Sequence, residues 1–437
     1  MHPLLAWPYR AAVRAADLAA HLPLAGSSKV VRSLRARRAA LALAQDWATA
    51  QRDPARPLVW FHAPSVGEGL QARPVIELLR TQRPDVQIAY THFSPSAERF
   101  AESVGADFHG YLPFDTAANG RAMLAALKPN ALVYSKLDVW PTLTSLAAAS
   151  GVRVGMISAT LAEGSGRRGA LAAALLRNAY GALSLVGAID ADDADRLSAL
   201  GVLAGRVRIT GDTRYDQVAA RAAARQSSSA LLAPLTSHRP TLVAGSTWPA
   251  DETVMFAAWR ALRVAVPDAR LLIAPHEPSD AHCTPIQRWA GEAGLSCATL
   301  NDARSDHDVV IVDRVGVLGD LYALATVAYV GGGFHAAGLH SVLEPASFGV
   351  PVLFGPRHHM SRDARLLYEQ RGGEPVRDVP EFVRALRILF TEEDTRARAG
   401  AGALAVVREG VGAAERSLGL VLELLDERRK TEGTAGN

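Results

Sequence analysis

Residues 327–355 read VAYVGGGFHAAGLHSVLEPASFGVPVLFG. The apolar run Val327 to Val330 predicts a buried strand, and Gly331, Gly332 and Gly333 end it. His335 and His340 follow in a polar loop, a helix is expected to open near Ser341, and Val350 to Phe354 predicts a second buried strand. Strand, glycine-rich loop, helix and strand make one unit of a parallel sheet. Such a strand end gathers backbone N–H groups, a helix N-terminus, two imidazoles and the Glu344 carboxylate, a set suited to anions and sugars. An ordinary strand-to-helix turn would account for the glycines as well.

The same alternation extends in both directions. Upstream of 327, strands are predicted at Thr241 to Ala244, Leu271 to Ala274 and Val309 to Val312. Earlier still they fall at Leu58 to His62, Val86 to Thr91, a short strand closed by Tyr111-Leu112-Pro113, Ala131 to Ser135, Val152 to Ser158, Leu183 to Ala188 and Val207 to Thr210. The intervening stretches have helical length, so the chain is expected to be α/β, with parallel sheets covered on both faces. A seam at 219–236, containing Gln226-Ser227-Ser228-Ser229, interrupts the pattern. Two doubly wound, Rossmann-like domains are therefore expected, at 39–225 and 226–412. A basic segment precedes them at 1–38, and an amphipathic helix at 413–437 is expected to return to the first domain. Ligands of open α/β sheets bind beyond the carboxyl ends of the strands, so the two sets of loops are expected to line a central cleft.

The 437 residues suit two cores better than one. Net charge is +3, but residues 1–38 carry seven basic side chains (Arg10, Arg14, Lys29, Arg32, Arg35, Arg37, Arg38) against Asp17, which leaves the remainder slightly acidic. Such a segment suits an anionic membrane surface; no motif for binding nucleic acid follows it. The first 25 residues lack the ~18 consecutive apolar positions of a spanning helix, and Arg10 and Arg14 interrupt any signal-peptide core. The segment reads as an interfacial helix bearing Leu4, Leu5, Trp7, Tyr9, Val13, Ala16, Leu18 and Leu22, with a helix packed on its own domain as the alternative. Two cysteines cannot form a disulfide framework or a four-cysteine zinc site, and they fit a reducing cytoplasm.

Several strand ends carry candidate chemistry. Glu68 follows Ser65-Val66-Gly67 at a helix start, where a carboxylate is stabilised as the anion and can accept a proton from a hydroxyl; Ser65 and Glu68 also fit a capping box. Lys136 is placed to meet an acidic substrate group, and Asp138 to orient it or to cap the next helix. Ser246 and Thr247 suit phosphate oxygens or an N-cap, and His276 suits a base or phosphate. His340 and Glu344, four apart, are expected on one helix face. Glu344 there suits ribose hydroxyls, whereas a metal would need further ligands that the spacing does not supply. GxxxxGK[ST], GxSxG and a first-strand GxGxxG are all missing, which argues against P-loop, hydrolase and dinucleotide chemistry.

Taken in order, Trp60-Phe61-His62-Ala63-Pro64-Ser65-Val66-Gly67-Glu68, Tyr90 to Ser96, Leu112-Pro113-Phe114-Asp115, Trp140-Pro141, Gly211-Asp212-Thr213-Arg214-Tyr215-Asp216, Gly245-Ser246-Thr247, Gly338 to Pro345 and Gly355-Pro356-Arg357-His358 resemble the motifs of the Kdo transferases of lipopolysaccharide assembly. These are two-domain enzymes of the GT-B class. The resemblance runs from about Lys29 to the last helix. It implies inverting, metal-independent transfer of Kdo from CMP-Kdo to a lipid A precursor at the cytoplasmic face of the inner membrane, with no cofactor. Glu68 takes the place of the family's general base. Ser65, Lys136, Asp138 and Arg214 fall on the acceptor side; Ser246, Thr247, His276, Gly332, Gly333, His340, Ser341 and Glu344 fall around CMP.

Three departures lie in that expected cleft. Lys136-Leu137-Asp138 stands where the family carries Glu-Thr-Glu, Pro275-His276-Glu277 replaces Pro-Arg-His, and Thr247-Trp248 replaces Thr-His. Two rival readings accompany the first: a GT-B transferase or epimerase acting on a UDP-sugar, and an inactive transferase-like membrane scaffold.

Overall fold

The computed structural model describes residues 3–20, 26, 28–224, 230–336 and 338–434. Leu22 and the Gln226–Ser229 part of the seam lie outside the described residues, as does the side chain of Leu4. The chain divides into two compact units, Met1–Gln217 with Gly412–Asn437, and Val218–Val411. The first unit holds β1 (Leu58–His62), β2 (Gln87–His92), β3 (Phe108–Tyr111), β4 (Ala131–Ser135), β5 (Arg153–Ala159), β6 (Leu185–Ala188) and β7 (Val207–Ile209). They pair in parallel in the order β3-β2-β1-β4-β5-β6-β7. The second holds β8 (Thr241–Thr247), β9 (Arg270–Pro275), β10 (Cys297–Thr299), β11 (Val309–Ile311), β12 (Val327–Val330), β13 (Val352–Phe354) and β14 (Gly373–Pro375). These are also parallel, in the order β10-β11-β9-β8-β12-β13-β14.

Strand order reverses between β1 and β4 in the first sheet and between β8 and β12 in the second. Adjacent strand-end loops splay apart at such a point, and ligands of open α/β sheets bind there. Both sheets are two-sided, as their uninterrupted apolar runs require. On β1 and β4, Trp60, Leu132 and Tyr134 enter one core, whereas Val59, Phe61 and Val133 enter another. The second of these is completed by Leu418, Val421 and Leu424 of the last helix, Ala413–Thr434. Asp216 fixes the start of that helix by accepting from Gly412 N (2.7 Å) and Ala414 N (3.0 Å).

The basic segment is two helices rather than one uniform surface. Along Pro3–Ala20, Trp7 and Leu18 are 77% and 65% exposed. Arg10 and Arg14 are exposed too, and the spacing 7, 10, 14, 18 puts all four on one helix face. Tyr9 faces the unit instead, its hydroxyl donating to Asp115 (2.7 Å), and Asn119 Nδ2 donates to Asp17 (3.1 Å). The eight apolar positions therefore do not form one lipid-facing set. The second helix, Lys29–Gln51, runs through residue 38 without a break and turns Arg37 inward. Arg37 is 6% exposed, its guanidinium carbon lies 3.1 Å from the Phe93 ring centre, and Nη2 donates to Phe93 O at 3.0 Å. Burial lowers its pKa to about 10.

Candidate functional site

In the first unit, the turn Ala63-Pro64-Ser65 leads from β1 into the helix Val66–Gln82, with Glu68 in its first turn. The expected capping box does not form: the Ser65 hydroxyl donates to the Glu68 carboxylate rather than accepting from the Glu68 backbone N–H. Across the switch point, Ser135 Oγ donates to Glu68 O (2.7 Å) and Lys136 Nζ lies 3.4 Å from Glu68 Oε1. Burial pushes the Glu68 carboxyl up, but the Ser65 hydroxyl and the Lys136 ammonium outweigh it and hold it below its ordinary value. The side chain is thus an anion near neutrality, beside the loops where a ligand would bind.

Close packing sets the position of this turn. A Cβ on Gly69 would lie 2.6 Å from Tyr90 Oη and 2.9 Å from Phe100 Cδ1. Gly69→Ala is therefore expected to cost about 1–3 kcal/mol by overpacking, read as a lower urea midpoint; an unchanged midpoint would mean that Phe100 yields freely.

Beneath the turn, Trp140 Nε1 donates to His62 Nε2 (2.9 Å), and His62 Nδ1 lies 3.0 Å from Thr91 Oγ1. An indole nitrogen only donates, so His62 carries its proton on Nδ1. Burial drives its pKa down to about 3, keeping it neutral. His62 is thereby a support for Trp140.

The other acceptor-side candidates are engaged within the unit. Asp138 pairs with Arg167 and does not cap the helix Pro141–Ala149. It lies two residues before the cap position, Trp140, which is too early for its oxygens to reach the first-turn N–H groups. Asp115 serves instead, accepting from Thr142 N and Leu143 N, each at 2.8 Å. Arg214 Nη2 lies 2.7 Å from Asp212, which also accepts from Gln71 Nε2 (3.2 Å) on the helix that carries Glu68.

In the second unit, Asp251 organises the glycine-rich loop. Its carboxylate is fully buried and accepts from Gly332 N (2.8 Å), Phe334 N (3.1 Å), Trp248 N (2.9 Å) and Tyr329 Oη (2.8 Å). The Gly332 N–H is thus taken by Asp251. Packing explains the glycines: Gly332 sits at φ +93°, and a Cβ on Gly333 would enter the backbone of Gly355. The Thr247 hydroxyl is buried and donates to Glu252 (2.8 Å). Ser246 is the half-exposed residue of the pair, at φ +53° within a register shift between β8 and β9.

The helix expected at Ser341 begins at Leu343 and ends at Ser347, so His340 and Glu344 share no helix face. Ser341 is exposed in the loop before it. His340 is placed by its own N–H, which donates to Gly331 O (3.2 Å), and by Trp248 Nε1 (3.3 Å). Trp248 is sandwiched between His335, with ring centres 4.1 Å apart, and His276, at 4.5 Å; His276 meets His340 at 4.6 Å. Three imidazoles from two loops thus gather around one indole, beside the β8/β12 switch point. Burial, then His276, holds His340 below its ordinary pKa, with Asp251 opposing. Burial raises Glu344, and Arg221 partly counters it. Among the described residues, no three His, Cys, Asp or Glu side chains converge as metal ligands would.

Asp251 carries much of this geometry without having been singled out from the sequence, Asp115 and His62 entered only within longer motifs, and His276, His335 and His340 were singled out without their gathering on Trp248. Asp251 left a signal, as an acid three residues after Trp248 in a helix that opens with Pro249.

Two parallel, doubly wound units with side-chain constellations at their switch points define a GT-B fold. UDP-GlcNAc 2-epimerase from Neisseria meningitidis bound to UDP-GlcNAc shares it at TM-score 0.62 and 15% identity, covering 85% of this chain and 100% of that one. The Staphylococcus aureus MnaA–UDP co-structure does so at TM-score 0.58 and 14% identity, covering 85% and 97%. Sequence comparison reaches further: a family model described as 3-deoxy-D-manno-octulosonic-acid transferase (kdotransferase) matches residues 35–217. The 3-deoxy-D-manno-octulosonic acid transferase of Bordetella pertussis is 30% identical over 318 residues, 70% of this chain and 73% of the relative. That of Haemophilus influenzae is 26% identical over 373 residues, 84% and 87%. The chain belongs to the Kdo transferases, glycosyltransferases of lipopolysaccharide biosynthesis.

Proposed function

We propose that the protein transfers Kdo from CMP-Kdo to a lipid A precursor, by inverting displacement and without a metal. The observation that carries this reading is Glu68, ionised and oriented by Ser65 at the first sheet's switch point. An acceptor hydroxyl attacks the anomeric carbon of Kdo from the face opposite CMP. Glu68 takes the hydroxyl proton, and CMP leaves with the electrons of the broken C–O bond. Ser246, Ser341, Glu344 and the imidazoles of His276 and His340 are the groups offered to CMP. Lys136, Asp138 and Arg214 supply charge on the acceptor side.

Thermal protection tests the donor class. CMP is expected to raise the unfolding temperature more than UDP at equal concentration, since a ligand stabilises by its affinity for the folded state. Greater protection by UDP would favour a UDP-sugar enzyme instead.

The reading places the work at an anionic membrane surface. Among the described residues no helix is long and apolar enough to cross a membrane. Trp7 and Leu18 are the proposed lipid contacts, flanked by Arg10 and Arg14, while Tyr9 docks the helix on its unit. Replacing both Trp7 and Leu18 by Ser is expected to weaken sedimentation with anionic vesicles at least about tenfold, given the apolar area removed. Undiminished binding would place the membrane contact elsewhere.

A further inference from the structure

Lys136 and Glu68 approach from two different strand ends, and their surroundings are unequal. The lysine side chain is 42% exposed and the glutamate side chain 18%. Lys136 adopts φ +71°, a conformation unfavourable to a residue with a Cβ, and its N–H is fixed to Ile157 O at 2.9 Å. The backbone is thus fixed where the side chain sets out, and the ammonium reaches the carboxylate while remaining open to solvent. Asp138, two residues on, is engaged by Arg167. Glu68, for its part, accepts from the Ser65 hydroxyl on its other carboxylate oxygen.

We propose that Lys136 is a displaceable counter-ion, paired with Glu68 in the free protein and transferred to an anionic group of the acceptor when that binds. This rests on the reading of Glu68 as the base. A carboxylate beside an ammonium is a poor proton acceptor. Moving the ammonium to the acceptor strengthens the base once the hydroxyl to be deprotonated is in place. The groups facing Glu68 are Ser65 on the preceding turn, Lys136 at the end of β4 and Tyr90 on β2, with Arg73 further along the helix acting on Tyr90. Ser65 does not titrate, and burial raises Tyr90 well above neutrality. Lys136 is therefore the group whose departure changes the charge around Glu68, and it acts as a positioning and tuning residue rather than a catalytic one.

The test is a pair of pH profiles, kcat/KM for the free enzyme and kcat for the bound complex. A base with a depressed pKa stays active to lower pH. In the unaltered protein the acid limb of kcat should therefore lie roughly one unit or more above that of kcat/KM. In Lys136→Met the two limbs should coincide at the higher position, and in Lys136→Arg the separation should return. A merely structural role would not produce this pattern. Coincident limbs in the unaltered protein, or an undiminished separation in Lys136→Met, would overturn the inference alone. Separation that persists with a dephosphorylated acceptor would overturn its assignment to the acceptor's anion. Absence of turnover with any donor and acceptor would remove the parent reading, and this one with it.

Discussion

Glu68→Gln is expected to lower kcat by roughly 10²–10⁴-fold, the range for loss of a positioned general base, with little change in donor affinity. Glutamine keeps the volume and can still accept from Ser65, so the turn should survive. What it loses is the ability to take a proton, together with the charge opposite Lys136. The side chain is in its helix's first turn, where Ser135 holds its backbone oxygen and Gly69 lets the helix pack on Tyr90 and Phe100. Circular dichroism and thermal unfolding should therefore resemble the unaltered protein while product formation falls. Undiminished turnover in a verified assay would remove Glu68 from the proton transfer.

Asp251→Ala is expected to be the most damaging single change in the second unit. It strips four donors of their acceptor at once, three of them backbone N–H groups of the loops beside β8 and β12. Each buried donor left without a partner costs about 1–3 kcal/mol, so the loss of one acceptor shared by four donors should amount to several kcal/mol. The glycine-rich loop should lose its shape, so CMP protection should vanish even where the unit remains folded. Urea unfolding read from the second unit's tryptophans, Trp248, Trp259 and Trp289, measures the first effect. A loss below about 1 kcal/mol would mean that water replaces the carboxylate easily.

Some of this was legible from residues alone because it rests on local pattern. β1, β4 and β12 begin and end where their apolar runs do. The two strands missed, β10 and β14, are three-residue edges, only half-buried, and one ends in proline, so neither shows a buried run. Glu68 could be singled out because strand, small-residue turn and carboxylate are consecutive. Lys136 could be singled out as well, but not as the partner of Glu68, since pairing β1 with β4 is a property of the sheet. Asp138 and Asp115 illustrate the same limit: the nearer acid in sequence looked like the cap, and the acid 27 residues upstream of Thr142 is the one that bonds it. The Trp248 stack draws rings from four separate positions, a juxtaposition that no spacing encodes. Arg37, counted with the basic N-terminus, is buried against Phe93, because charge tallies carry no direction.

The most direct measurement is the mass of the product. Purified protein incubated with CMP-Kdo and a tetra-acylated lipid A precursor should convert the acceptor to species heavier by one or more Kdo residues, with CMP released in equal number, and Glu68→Gln should slow that conversion by roughly 10²–10⁴-fold. An acceptor of unchanged mass under conditions where CMP protects the fold, or Kdo released only as the free sugar, would contradict the account.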